Sequence, residues 1–508
     1  MLLPTGVESG QTPRERSILI VIVREVRGYT HRLAFLRAIH YRRRMRSCAL
    51  ALVIAVDLVS LSARAADQSG TAETAPAAPN VHIEFEKFTL PSGLVLIVSR
   101  DSAVPEVAVN VSYSVGSRVE RPGRTGFAHL FEHLMFMGTE RAPTKMFDAW
   151  MEQSGGRNNA WTAEDRTDYF DIAPPTALPL VLWLEADRMR DLGHLIDREK
   201  LDLQRSVVRN ERRQNIENRP YGVIELELPE LVWPVSHPYH HPVIGSHKDL
   251  AAASVEDVRS FFETYYDPAN ASIVVAGDVD TERVRAEVGR LFGAIPSKGK
   301  PSESAVLPTS RPEVLPPSET HRTVSDNVEL AKVVIAWRSP PHFVKGDAEL
   351  DLVASVLSNG KASRLYRSLV YDRKLAQDVS ATQQSHSLGS EFVVEATVRP
   401  SVAPAVVEQA LFEQIGKLAA ERVPMEELER AKNEYEMSFV ERLQSVAERA
   451  SLLNMYEAET GNPGYIGADL DRYRAATPDD LMDVVRRVLS HESAVVLTVL
   501  PKKAEEPR

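Results

Sequence analysis

Between Thr125 and Thr139 the chain reads TGFAHLFEHLMFMGT, and at its centre His129, Glu132 and His133 form an H-x-x-E-H motif. On an α-helix, residues three and four apart share a face, so both imidazoles can meet one cation with the Glu132 carboxylate beside them. Two imidazoles joined by a carboxylate from elsewhere in the chain make a catalytic zinc site whose fourth position stays open to water. Glu132, not needed as a ligand, can then take a proton from that water. The pattern is the inverted form of H-E-x-x-H. With 14 His in 508 residues it can also arise by chance. Its flanks (Phe127, Leu130, Phe131, Leu134, Met135, Phe136) argue against chance, because two imidazoles and a carboxylate sunk among such side chains are costly without a partner.

A chain of 508 residues is long enough for two or more domains, each with its own core. The formal net charge of -11 argues against a nucleic-acid partner. The first 65 residues take 11 of the 60 basic residues and 4 of the 71 acidic ones, so the remainder carries about -18. Arg42, Arg43, Arg44 and Arg46 precede an apolar run, 48–61, and then Ala63-Arg64-Ala65, the layout of a signal peptide cleaved near Ala65. Met45 is the natural start of that signal, which makes 1–65 a dispensable leader plus signal peptide (about 45–65). An uncleaved membrane anchor is the alternative, although the run is shorter than a normal span. Cys48 is the one Cys, so the processed chain has no thiol. Export without disulfides is compatible with a bacterial periplasm or with secretion, and no stable membrane span is expected in the mature chain.

Residues 66–81 are an Ala/Pro/Thr linker. From 82 to 296 we expect an N-terminal domain: strands at 94–101 and 107–117, the motif helix, a helix near 146–153, a turn at Gly155-Gly156, and a strand at 167–172. Helices near 177–191, 198–215 and 255–265 and a strand at 271–278 follow. Within 198–215, Gln204, Val208, Glu211 and Asn215 share one face, so Glu211 can look inward. Asn159 and Ala160 are placed on an edge strand, where backbone groups can pair with an extended peptide; an ordinary turn after Gly155-Gly156 is the alternative. His237, His240 and His241 lie in a Pro-rich loop and read as loop residues rather than a second metal site. A linker with six prolines, 297–322 and its flanks, separates this half from a C-terminal one, 323–504. There the expected elements are strands at 332–338, 391–398 and 494–500 and helices at 347–357, from 363, across 403–456, and at 478–489. The layout repeats that of the first half without the metal motif.

These motifs resemble the pitrilysin/insulinase family of zinc peptidases, the inverzincins, and in particular the half-length subunits related to mitochondrial processing peptidase. The resemblance runs from about Phe85 to Val499 and is most specific over GSRVERPGRTGFAHLFEHLMFMGT. Asn159-Ala160-Trp161-Thr162 with Tyr169, His237-Pro238-Tyr239 with Pro242 and Gly245, and Ser363-Arg364-Leu365-Tyr366 match further family blocks. The resemblance implies an α+β fold of two homologous domains, each a mainly antiparallel or mixed sheet packed with helices, forming one half of a clamshell. It implies Zn2+ as cofactor and, as third ligand beside His129 and His133, a Glu on a later helix: Glu211, 78 residues past His133. Glu217 is the runner-up. Family members often carry an acid seven residues before this ligand; here Gln204 stands there, able to hydrogen-bond around the site but bringing no charge.

A second departure concerns substrate. Single-chain relatives carry in their second half an Arg and, seven residues on, a Tyr that hold substrate; the matching positions here are Val370 and Gln377, with Arg367, Tyr371 and Arg373 nearby. The implied function is a zinc metalloendopeptidase acting on peptides or unfolded segments through Glu132, with Asn159 and Ala160 binding substrate. It would be the metal-bearing subunit of a heterodimer whose homologous partner supplies the Arg/Tyr pair. The alternative is a non-catalytic assembly subunit of the same family.

Overall fold

The computed structural model describes residues 81–301 and 320–502. The expected leader and signal segment, and most of both expected linkers, lie outside the described residues. Among the described residues no helix is long and apolar enough to cross a membrane.

Among the described residues eleven strands form two sheets: β1 (Glu86–Thr89), β2 (Val95–Arg100), β3 (Val107–Tyr113), β4 (Arg157–Thr162), β5 (Thr167–Ala173), β6 (Ala271–Gly277), β7 (His321–Asp326), β8 (Lys332–Ser339), β9 (Ala376–Gln384), β10 (Ser390–Val398) and β11 (Val495–Pro501). The first sheet runs β1-β2-β6-β3-β5-β4 and the second β7-β11-β8-β10-β9. From β2 onward the orders correspond strand for strand. So do the pairings: β2 with β6 and β7 with β11 are parallel, and every other pair is antiparallel. Two homologous α+β halves are therefore present, as the repeated layout implies.

Each sheet is covered on both faces, which is why β3 and β6 are buried along their whole length. Helices Phe127–Leu134, Leu178–Asp191, Val255–Tyr265 and Thr281–Phe292 pack the first core against one face. The other face is covered from the second half. Ala450, Leu453 and Tyr456 of helix Val446–Thr460 sit on Ile97, Ala108, Val274 and Ala276. The exchange is reciprocal: Ile224, Leu228 and Leu231 of helix Val223–Val232 cover Val334, Ala336, Val393 and Leu497. Each half thus lends one helix to the other's sheet, and separating them would expose two apolar faces.

Within the first of these contacts Asn454 is fully buried. Its Nδ2 donates to Asn110 Oδ1 (2.5 Å) and Asn110 O (3.1 Å), and its Oδ1 accepts from Ser272 Oγ. Truncation would strand those partners, so Asn454→Ala should destabilise the chain by about 1–3 kcal/mol. Urea unfolding reads this directly, and a change below roughly 0.5 kcal/mol would contradict it.

Several expectations need correcting. The helix expected at 198–215 is α-helical only to Arg212; it then widens into a π turn, Arg213–Glu217, in which Asn218 N–H reaches Arg213 O at 2.7 Å. The helix expected from 363 is mostly a π turn, Tyr366–Asp372. Strands β1, β7 and β9 and helices Val223–Val232, His247–Ala252, Thr281–Phe292 and Ile466–Ala475 were not anticipated.

Candidate metal centre

The motif helix, Phe127–Leu134, begins without a side-chain cap of its own, at Gly126 with φ 87°. Its first N–H groups are instead taken by Glu120, whose Oε2 accepts from Gly126 N (2.8 Å) and Oε1 from Ala128 N (2.7 Å). Such a carboxylate satisfies otherwise orphaned donors and suits the positive end of the helix. Burial pushes Glu120 up to about 8, against the pull of those N–H groups.

All eight residues of the helix are buried, the two His and Glu132 included. His129 and His133 stand edge to face, ring centroids 4.8 Å apart. Glu211 reaches them from the last turn of helix Arg198–Arg212, its Oε2 lying 3.1 Å from His133 Nε2 and 3.8 Å from His129 Nε2. Among the described residues these three make the one group of such side chains able to hold a single ion. Burial, then the proximity of His133, lowers the pKa of His129 and favours its neutral form, the form that ligates. His129 Nδ1 is buried and finds no hydrogen-bond partner among the described residues. Two imidazoles and one carboxylate, all aimed at one point in an apolar setting, fit a zinc ion.

Glu132 lies outside this cluster. Its Oε2 accepts a 2.6 Å hydrogen bond from Thr162 Oγ1 at the end of β4. Thr167 Oγ1, 3.5 Å from Thr162 Oγ1, is tied to Val115 O (2.8 Å), and beneath it Tyr169 and Tyr266 share a 2.9 Å hydroxyl contact. Both tyrosines have raised pKa values, through burial first, and stay neutral phenols, either of which can donate in that contact. Spacing could not reveal the Thr162 contact, because Thr162 reaches the motif only through sheet pairing. If the contact orients a base, Thr162→Val should lower kcat roughly 10-fold, the worth of a hydrogen bond to a charged group. Retained zinc affinity with unchanged kcat would refute that role.

Asn159 and Ala160 lie on β4, which is the outer strand of its sheet, opposite Phe170 and Tyr169 of β5. Gln204 points its Nε2 at Met137 Sδ, 2.7 Å away. Glu217 stands apart from the cluster, holding Arg212 Nε (2.8 Å) and His247 Nε2 (2.9 Å). Each loop histidine has its own partner: His237 stacks on Trp233 (4.0 Å), His240 Nδ1 meets Trp233 O (2.7 Å), and His241 Nδ1 lies 3.7 Å from Glu120. Burial and the Arg338 guanidinium hold His237 down at about 4. In the second half Val370 is buried and Gln377 is exposed on β9; Arg373 pairs with Glu413 (2.8 Å), and Tyr371 is 73% exposed.

A family model described as insulinase (peptidase family M16) matches residues 95–236, and one described as the peptidase M16 inactive domain matches residues 252–435. The chain is 29% identical to the zinc protease PqqE of Helicobacter pylori over 377 residues, 73% of this chain and 83% of that protein. It is 24% identical to an uncharacterised zinc protease of Streptomyces coelicolor over 410 residues, 80% of this chain and 88% of that one. Among solved structures it is similar to a protease from Helicobacter pylori, with TM-score 0.76 and 24% identity over 83% of this chain and 100% of that one. It is also similar to a peptidase M16 inactive domain from Pseudomonas fluorescens, with TM-score 0.74 and 15% identity over 84% of this chain and 100% of that one. Likeness at these identities establishes the two-half fold.

Proposed function

Because the chain belongs to the insulinase/pitrilysin (M16) family of peptidases, we propose that it is a zinc metalloendopeptidase acting on peptides or unfolded segments, and the metal-bearing subunit of a heterodimer. The observation that carries this reading is the meeting of His129, His133 and Glu211 with Glu132 close by but outside the cluster. The three would hold Zn2+, which when bound supplies Lewis acidity towards the scissile carbonyl and lowers the pKa of the attacking water. Glu132 accepts the proton of that water and returns it to the leaving amine. With Oε2 engaged by Thr162, Oε1 is the oxygen that does so. Asn159 and Ala160, on the open edge of β4, offer backbone groups to an extended substrate, which fits unfolded segments better than folded ones. Gln204 keeps the supporting role that the resemblance implies, without charge; the hydrogen bond described for it goes to Met137.

The partner enters because Val370 and Gln377 carry neither a guanidinium nor a phenol to hold substrate. The same observation favours the second reading, a non-catalytic assembly subunit. The basic and apolar layout of 42–65 supports a working chain in the periplasm or outside the cell, after cleavage near Ala65. The test is cleavage of a quenched fluorescent peptide library by the chain from Ala66, alone and with a homologous subunit, Glu132→Gln serving as control. Activity only in the mixture, lost in the variant, supports the heterodimer. Strong activity alone sinks the partner, and zinc binding without activity in either case favours the assembly subunit.

A further inference from the structure

The two helices that carry the ligands are joined through the segment 244–247, a loop that ends on His247, the first residue of helix His247–Ala252. On one side Gly245, with φ 68°, lies so close to the entry of the motif helix that a Cβ on it would stand 2.3 Å from Gly126 N and Cα. Ser246 N–H donates to Thr125 Oγ1 (3.0 Å), and Thr125 in turn donates from its N–H (3.1 Å) and hydroxyl (2.7 Å) to Asp249 Oδ2. On the other side the loop meets the last turn of helix Arg198–Arg212. Arg212, the residue after Glu211, donates from Nη1 to Gly245 O and from Nε to Glu217 Oε1 (2.8 Å). His247 completes the join, with Nε2 2.9 Å from Glu217 Oε1 and Nδ1 accepting from Arg209 Nε (3.4 Å).

We propose that loop 244–247 is a clasp that sets Glu211 against His129 and His133, with Arg212 as its positioning residue; this rests on the metal-centre reading above. A metal site needs its ligands held within about 0.5 Å of their working geometry by groups that are themselves locked. Here the imidazoles and the carboxylate arise 78 residues apart, on helices whose mutual placement their own hydrogen bonds cannot define. The loop touches the entry of one helix, at Thr125 and Gly126, and the last turn of the other, so it fixes their offset close to the ligands. Arg212 suits the task because a planar guanidinium serves a carbonyl and a carboxylate at once, whereas a lysine ammonium is a single point on a flexible stem. The role also accounts for Glu217: it anchors the guanidinium and is no ligand.

The experiment is zinc titration of the metal-stripped full chain in competition with a chromophoric chelator, with no substrate present. Wild type should take up one equivalent and His133→Ala none. Arg212→Met should bind zinc roughly 10- to 100-fold more weakly, and Arg212→Lys should recover part of the loss. Asn454→Ala, less stable but remote from the centre, should keep wild-type affinity, which separates positioning from general loosening. If Arg212→Met does not fold, Glu217→Gln, which keeps the guanidinium but weakens its anchor, should shift affinity the same way by a smaller factor. Wild-type affinity in a folded Arg212→Met, or in Glu217→Gln, overturns the clasp. A wild-type chain that takes up no zinc overturns the metal centre itself and the clasp with it.

Discussion

Glu132→Gln is expected to lower kcat for peptide hydrolysis by about 10²- to 10⁴-fold, the usual worth of a positioned acid–base group. Zinc stoichiometry and affinity should stay as in the wild type. The amide keeps the length of the side chain and an oxygen for the Thr162 hydroxyl, so the buried packing around the motif helix is preserved. What it loses is the capacity to hold a proton. Glu211→Gln makes the opposite split: it weakens a ligand and should show first as lost zinc. Measuring kcat and zinc affinity for both variants therefore separates base from ligand. Activity within tenfold of wild type in Glu132→Gln would mean another group takes the proton. Loss of zinc from that variant would mean that Glu132 belongs to the ligand set.

That such a split can be predicted at all comes from how the motif is written. His129, Glu132 and His133 are legible together because helical periodicity alone puts them on one face. Glu211 is different: its inward-looking face could be read from its own helix, but which of many acids meets the imidazoles depends on tertiary packing, and only the resemblance singled it out. Thr162 and Arg212 lie further from legibility. One reaches Glu132 through strand pairing across the sheet, the other reaches Gly126 through a loop 33 residues downstream. The fold shows the same gradient. Strand β3 and helix Val255–Tyr265, with its Ser254–Asp257 capping box, carry clear local signals. Helix Val223–Val232 does not, since VIELEL alternates like a strand and Pro229 sits inside it. Strands β7 (HRTVSD) and β9 (AQDVSATQQ) are too polar to announce themselves and form because neighbours pair with them. The exchange of helices between the halves had no local signal, because an apolar face does not say which sheet it covers.

The contact between the halves leads to the second large effect, at Asp165 in the turn between β4 and β5. Its Oδ1 accepts from Arg118 Nη1 (2.9 Å) and Tyr239 Oη (2.7 Å), and its Oδ2 from Ser387 N (2.9 Å) of the second half. Leu388 N–H then donates to Tyr239 Oη (3.1 Å). Asp165→Ala would leave a guanidinium, a phenol and an amide facing a largely buried gap, at a cost of about 3 kcal/mol. Burial raises the Asp165 pKa, but Arg118, His386 and the hydrogen bonds outweigh it, so the carboxyl titrates below its ordinary value. Its unfolded value is about 3.9. A depressed carboxylate contributes stability that is fully present above the unfolded pKa and is lost as pH falls through the folded one. The gap in urea stability between wild type and Asp165→Ala should therefore grow modestly from about pH 7 to 5, as His386, whose pKa Asp165 helps to raise, takes up its proton, and close below about pH 4. A gap under roughly 0.5 kcal/mol at neutral pH, or one that stays open well below about pH 4, would show that the turn is held by other contacts. The same turn follows Thr162 directly, so the variant should also lose kcat at temperatures where it stays folded, with zinc affinity unchanged. The half that carries no metal ligand would then act on the chemistry by holding in place the strand end that orients the base.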